Sequence, residues 1–218
     1  MEVRTVDDHK ESIERSKTTP FLGLIIPVAK RLHSRIQELQ DKLRGIDPSH
    51  VYHVPEYFHI TVKPLGWLNE DVKERDLAAI FEILETELLS FNAFRIALTG
   101  LSCFPEVVYL RVHDPTESIR SLNKRLLERL GNMVVRYSYE GDNFVPHLTI
   151  TTFKTKDVAN LLRKLSELAD VSAGSMHVSE ISAVEFRPHL AYGKPAEQAL
   201  AIHPLRSFAL KLRTFTPL

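Results

Sequence analysis

The tetrapeptide His59-Ile60-Thr61-Val62 returns almost unchanged as His147-Leu148-Thr149-Ile150. Each copy offers an imidazole and a hydroxyl two residues apart. Imidazole titrates near neutrality, so one neutral ring can take up a proton while a second, protonated ring gives one up. A threonine hydroxyl can donate a hydrogen bond to an oxyanion, and its β-branching restricts χ1 and holds the donor in place. Two such pairs in one site are the parts needed for acid–base displacement at an oxyanion centre, with charge building on non-bridging oxygens in the transition state. The scheme requires no metal and no cofactor.

Such pairs must be held by rigid elements. Phe58, Ile60 and Val62 alternate with polar residues, as do Leu148 and Ile150, which is a strand signal. Residues i and i+2 of a strand share a face. His59 and Thr61 therefore point one way, as do His147 and Thr149, while their apolar neighbours anchor the opposite face in a core. Lys63 continues the face of His59 and Thr61 and would help neutralise phosphate; a solvated strand-end lysine is the competing reading. One His-x-Thr alone is a weak signal, better explained by a satisfied structural histidine. Two copies, each on an apolar-alternating strand before a helix, favour a site.

The surrounding elements repeat as well. Phe21 to Ile26 reads as a buried strand. Leu32, Ile36, Leu39 and Leu43 follow at helical spacing, with Gly45 as the stop. After the His59 strand, ended by Pro64 and Gly66, Val72, Leu77, Ile80, Leu84 and Leu88 form a second helical stripe. Strands are expected over Phe94 to Leu101 and Val107 to Val112. Asp114-Pro115-Thr116-Glu117 opens a helix carrying Ile119, Leu122, Leu126 and Leu130. Val134 to Tyr139 is a further candidate strand. The His147 strand is followed by a helix with Val158, Leu161, Leu162, Leu165 and Leu168 inward, and His177 to Phe186 reads as a last strand. The order strand-helix-strand-helix-strand thus occurs twice, which predicts an α+β layered domain of two lobes with approximate two-fold symmetry and the motif strands facing across a cleft. Residues 1–19 are a charged, mobile or loosely docked N-terminal extension. Residues 20–195 form the single bilobal domain. Residues 196–218 are a C-terminal tail, in which Leu205 to Leu212 is either a short strand or docked.

The chain has 218 residues, 44% of them hydrophobic and 26% charged, with zero formal net charge. Such a chain buries a real core, and it has no basic field for clamping long duplex nucleic acid. A small or terminal phosphate remains compatible. The single cysteine, Cys103, excludes an intramolecular disulfide framework and reads as a packed residue rather than a nucleophile. No apolar run approaches the roughly 18 residues of a membrane span, and Met1 to Thr19 lacks the apolar stretch of a secretory signal. A cytoplasmic protein without membrane contact is expected.

The stretch Phe58-His59-Ile60-Thr61-Val62-Lys63-Pro64-Leu65-Gly66 resembles the first signature of the two-histidine (2H) phosphoesterase superfamily, and Pro146-His147-Leu148-Thr149-Ile150 its second. Within it, the chain is most similar to RNA 2′,3′-cyclic phosphodiesterases, also called 2′-5′ RNA ligase-like proteins. The resemblance runs over roughly residues 20 to 187 and takes in the opening strand and Gly100-Leu101-Ser102-Cys103-Phe104-Pro105. Here the basic residue that often follows the second motif comes only at Lys154. The resemblance implies the bilobal 2H fold, two small sheets facing each other across a groove, and a metal-independent phosphodiesterase. It would open 2′,3′-cyclic phosphates of RNA ends or nucleotides to 2′-phosphates, with reverse 2′-5′ ligation by the same groups. Cleavage of 2′-5′ linked oligonucleotides and a non-catalytic nucleotide-binding module are the alternatives.

Other residues compete for attention. His177-Val178-Ser179 has no matching partner, and His189-Leu190-Ala191 lacks the hydroxyl. His53, in the loop before the first motif, reads as a surface residue, with a position near the groove as the alternative. Among Tyr57, Phe58, Phe144 and Phe153, any one is a weak candidate for stacking a base, and Phe58 and Phe144 read as core. No carboxylate or further histidine stands at ligand spacing from His59 and His147, so metal binding is not expected.

Overall fold

Alternating apolar residues set the layers. In a computed structural model describing residues 2–211, nine strands form: β1 (Phe21–Pro27), β2 (Val51–Tyr52), β3 (His59–Trp67), β4 (Phe94–Cys103), β5 (Val107–His113), β6 (His147–Thr152), β7 (Ser172–Val178), β8 (Glu180–Phe186) and β9 (Ile202–Ala209). The helices are α1 (Lys10–Arg15), α2 (His33–Arg44), α3 (Leu77–Leu89), α4 (Ser118–Leu130), α5 (Ala159–Glu167), α6 (Pro188–Ala191) and α7 (Pro195–Gln198). Leu24, Ile60, Val62, Leu98, Val108, Leu110, Leu148 and Ile150 are fully buried, together with the helical stripes Ile36/Leu39/Leu43, Ile80/Leu84/Leu88 and Ile119/Leu122/Leu126. Full burial stabilises each such side chain by about 1.5–3 kcal/mol relative to exposure. One continuous core therefore backs both motif strands.

The strand order is β7-β4-β5-β6-β3-β1-β8-β9, with β2 added alongside β6. The sheet curls strongly into a half-barrel. Its two halves, β7-β4-β5-β6 and β3-β1-β8-β9, carry one motif strand each, but they are not the two consecutive runs of the repeat, because β4 joins the half of β6 and β8 joins the half of β3. They belong to one strand order rather than to two separate sheets. The motif strands β3 and β6 meet at its middle, antiparallel, in the single pair Ile60↔Leu148.

Some elements differ from the sequence reading. Val134 to Tyr139 is not a strand. Its backbone groups find scattered partners: the Val135 carbonyl accepts from Lys63 Nζ, the Tyr137 N–H donates to Glu140 Oε2 and the Val135 N–H donates to the Leu65 carbonyl, so a ladder is not needed to satisfy them. His177 to Phe186 breaks at Ser179, where the chain crosses from one half to the other. β7 pairs with β4 and β8 pairs with β1. The tail continues the domain, because β9 pairs with β8 from Glu180↔Ala209 to Phe186↔Ile202. Leu212, the end of the expected strand, and the rest of residues 212–218 lie outside the described residues, as does Met1. The N-terminal extension is docked: the Arg4 and Val6 N–H groups donate to the Pro105 and Phe153 carbonyls at 2.8 and 2.9 Å, and Ser16 Oγ lies 3.0 Å from His189 Nδ1. No helix among the described residues is long and apolar enough to cross a membrane.

Candidate active site

Ile60 and Leu148 are buried on the helix-covered face, so the residues flanking them project from the opposite, concave face. These are His59 and Thr61 on β3 and His147 and Thr149 on β6, all half-buried. Because the strands run antiparallel about Ile60↔Leu148, each histidine is carried beside the threonine of the other motif.

The two imidazoles are held alike. His59 Nδ1 lies 2.7 Å from the Tyr57 carbonyl, and His147 Nδ1 lies 2.8 Å from the Val145 carbonyl. A carbonyl only accepts, so both Nδ1 atoms carry a proton and donate it. Nε2 is then the nitrogen left for chemistry on each ring. A short 3-10 turn precedes each motif, Pro55–Tyr57 and Gly141–Asn143; the first ends on Tyr57 itself, and the second ends two residues before Val145.

Aromatic rings wall both histidines. Tyr57 meets His59 edge-on at 5.1 Å and Phe186 lies 5.0 Å away. Phe104 meets His147 edge-on at 5.0 Å and Tyr109 at 5.3 Å. This surrounding protein lowers both imidazole pKa values by burial. His59 is brought to about 4, with its Tyr57 hydrogen bond opposing the shift and the neighbouring His147 adding to it. For His147 the fall is opposed by the Val145 hydrogen bond. His147 is thus near enough to add to the lowering of His59.

Lys63 is not in this groove. The β1–β3 register runs Leu24↔Lys63 then Ile25↔Thr61, leaving Val62 as an extra residue. Such a bulge breaks the two-residue alternation, and Lys63 turns away from the face of Thr61. Its side chain is fully buried, and Nζ donates to Glu140 Oε2 at 3.0 Å and to the Pro64 and Val135 carbonyls at 2.6 and 2.7 Å. Burial lowers its pKa while Glu140 raises it. The expected phosphate contact is thereby replaced by a structural ion pair.

Phe58, Phe144 and Phe153 are core residues, and of the four aromatics weighed for base stacking Tyr57 is the one against a motif histidine. His189 bonds to Ser16. His177 stands opposite Arg95 on the β4–β7 pairing. His53, expected at the surface, is only 3% exposed and stacks on Tyr57 with ring centroids 4.6 Å apart. Phe104, Tyr109 and Phe186 were not visible as site residues from sequence, because no local pattern separates a groove-lining aromatic from a core one. Among the described residues no group of three or more His, Cys, Asp and Glu is arranged to hold a metal ion.

Fold and site define an α+β protein in which each half of a curled sheet contributes a His-x-Thr strand to one groove. The profile of the 2′-5′ RNA ligase superfamily matches residues 27–193, and the chain belongs to that superfamily. It is 30% identical over 165 residues to the RNA 2′,3′-cyclic phosphodiesterase of Methanothermobacter thermautotrophicus, covering 73% of this chain and 85% of that protein. It is 33% identical over 135 residues to the protein of that name from Aeropyrum pernix, covering 58% and 70%. Among solved structures, E. coli LigT complexed with 3′-AMP superposes with a TM-score of 0.67 at 17% identity, covering 88% of this chain and 98% of LigT. TT0787 of Thermus thermophilus superposes with a TM-score of 0.61 at 20% identity, covering 87% and 97%.

Proposed function

We propose that this protein hydrolyses 2′,3′-cyclic phosphates, on RNA ends or small nucleotides, to 2′-phosphates. Membership of the superfamily and the names of its relatives support the reaction class. The observation that carries the mechanism is the pair of Nδ1–H bonds to the Tyr57 and Val145 carbonyls, which leaves both Nε2 atoms to the groove. In this reading one Nε2 takes a proton from water as its oxygen attacks phosphorus. The P–O3′ bond breaks on the opposite side, and the departing O3′ takes a proton from the other Nε2. Thr61 and Thr149 donate to the non-bridging oxygens, whose charge grows in the transition state. One of the two histidines is the base and the other the acid, and the two rings are held alike. Metal independence belongs to the proposal, because two imidazoles supply both proton transfers.

The test is product analysis. Purified protein, pretreated with EDTA, is given 2′,3′-cyclic mononucleotides, a cyclic-phosphate-ended oligonucleotide and a 2′-5′ linked oligonucleotide. A 2′-phosphate product from the first two supports the proposal. Cleavage of the 2′-5′ linkage alone, or binding without turnover on the whole panel, overturns it.

A further inference from the structure

Each catalytic histidine is met edge-on by a ring that is itself stacked on a second ring. For His147 the stacked pair is Phe104 and Tyr109, 4.4 Å apart with planes 27° apart, and both rings meet the imidazole edge-on. For His59 the front ring is Tyr57 and the backing ring is His53, stacked at 4.6 Å with planes 30° apart. Tyr57 holds His59 twice over, by its ring and by the carbonyl that accepts from Nδ1. The backing ring behind it therefore bears on how His59 is presented.

A phenyl ring would serve for stacking, yet the pair at His59 uses an imidazole. Its nitrogen has a use: His53 Nε2 lies 2.9 Å from Thr152 Oγ1. Thr152 is on β6, the strand that begins with His147. The main chain repeats the tie, since the His53 N–H donates to the Ile150 carbonyl at 3.1 Å. Gln40 Nε2 donates to both the His53 and Ile150 carbonyls, at 2.8 and 2.7 Å. His53, Thr152 and Gln40 are all buried. Burial, with the neighbouring His59 adding to it, pushes His53 down to about 3, so this ring stays neutral and is not a proton carrier.

We propose that His53 is a positioning residue: it backs the Tyr57 clamp on His59 and bonds through Nε2 to the strand of His147, fixing the spacing of the two catalytic imidazoles. β3 and β6 themselves share the single pair Ile60↔Leu148, so the ties from the segment before β3 to β6, the β2–β6 pairing and the His53–Thr152 bond among them, bear on the spacing across the seam. The role rests on the two-histidine mechanism proposed above.

Three variants test it. His53→Phe keeps a stacking ring and removes Nε2, Thr152→Val removes the other end of the tie at constant shape, and the third combines both. Each single variant is expected to lower kcat on a 2′,3′-cyclic mononucleotide on the order of tenfold, because small misplacement of reacting groups is costly, with KM nearly unchanged. The double variant is expected to lose no more than either single one, as two ends of one interaction should. The second readout needs no turnover: the Nδ1–H proton resonance of His59 should shift or broaden in the variants without substrate. Wild-type kcat with an unmoved resonance overturns the proposal, as does a lowered melting temperature with kcat per folded molecule unchanged, or losses that multiply in the double variant. If His53→Phe does not fold, Thr152→Val decides alone. If the wild-type protein turns over no cyclic phosphate, the proposed reaction fails while the His59 resonance still decides the positioning role.

Discussion

Ile60 on β3 pairs with Leu148 on β6, and both are fully buried. This one pair brings the two motifs together. It fixes which residues flank it on the concave face, and so joins His59, Thr61, His147 and Thr149 into one site.

Removing either imidazole tests that site most directly. His59→Ala and His147→Ala are each expected to lower kcat/KM on a 2′,3′-cyclic nucleotide by about 10²–10⁴-fold. Both rings line a groove rather than the core, so circular dichroism and thermal melting should remain close to wild type. Near-wild-type turnover in either variant would sink the two-histidine mechanism.

The threonines should matter less, and in a different way. Thr61→Val and Thr149→Val keep the β-branched shape and delete only the hydroxyl. Loss of one oxyanion donor is expected to cost about 10²–10³ in kcat, with smaller change in KM. Equal losses in kcat and in substrate affinity, with no selective effect on turnover, would assign them to ground-state binding.

The pH dependence follows from enclosure. Burial lowers both His59 and His147. An imidazole lowered to about 4, as His59 is, remains neutral well into acid, and one lowered by burial, as His147 is, loses its proton earlier than a free imidazole. The bell-shaped profile of kcat/KM, which reports the free enzyme, should therefore sit to the acid side of the ordinary imidazole value. His147→Ala and His59→Ala should each flatten one limb of the profile, and which limb each removes assigns the acid and the base.

Stability should respond to acid as well. His53 and His59 have folded-state pKa values depressed to about 3 and about 4, below the unfolded value near 6.5. Above the unfolded value both states are neutral and nothing is lost. Below it the unfolded chain binds protons that the folded chain does not, and stability falls as the pH drops toward the folded values. For the deeply buried His53 this is about 1.4 kcal/mol per pH unit over that window. Melting curves between neutral and mildly acid pH should show a steeper fall for wild type than for His53→Phe.

Lys63 separates structure from substrate binding. Lys63→Met leaves Glu140 buried without its cation, and breaking a buried pair in this way costs about 3–5 kcal/mol. Denaturant unfolding should show a loss of that size, while KM for substrate measured on the folded fraction stays unchanged. A large rise in KM with stability intact would return Lys63 to the phosphate site.

What was legible in the sequence was the part with a period. Alternation around Ile60 and Leu148 marked the motif strands and the face of each histidine, and the helical stripes of α2, α3 and α4 appear on the buried side. Departures arise where side chains replace regular pairing. The bulge at Val62 turns Lys63 inward, and no local pattern announces a bulge of that kind. Val134 to Tyr139 has strand composition, but Lys63, Glu140 and the Leu65 carbonyl take up its backbone groups. His53 looks like a loop residue because its partners, Tyr57 and Thr152, are brought to it by a short turn and by a strand about a hundred positions away.

The crossing at Ser179 also has a consequence for how the molecule is made. The half built from β4, β5, β6 and β7 is continuous from Phe94 to Val178. The other half needs β1 and β3 from the start of the chain and β8 and β9 from its end. On a ribosome the first of these can complete its pairing while the second waits, open along β1, for residues still inside the exit tunnel. A nascent chain that has emerged as far as Ser179 already carries both His-x-Thr motifs, but not Phe186, the ring that closes in on His59. The rings that wall His147 thus precede Ser179 in the chain, whereas one that walls His59 follows it.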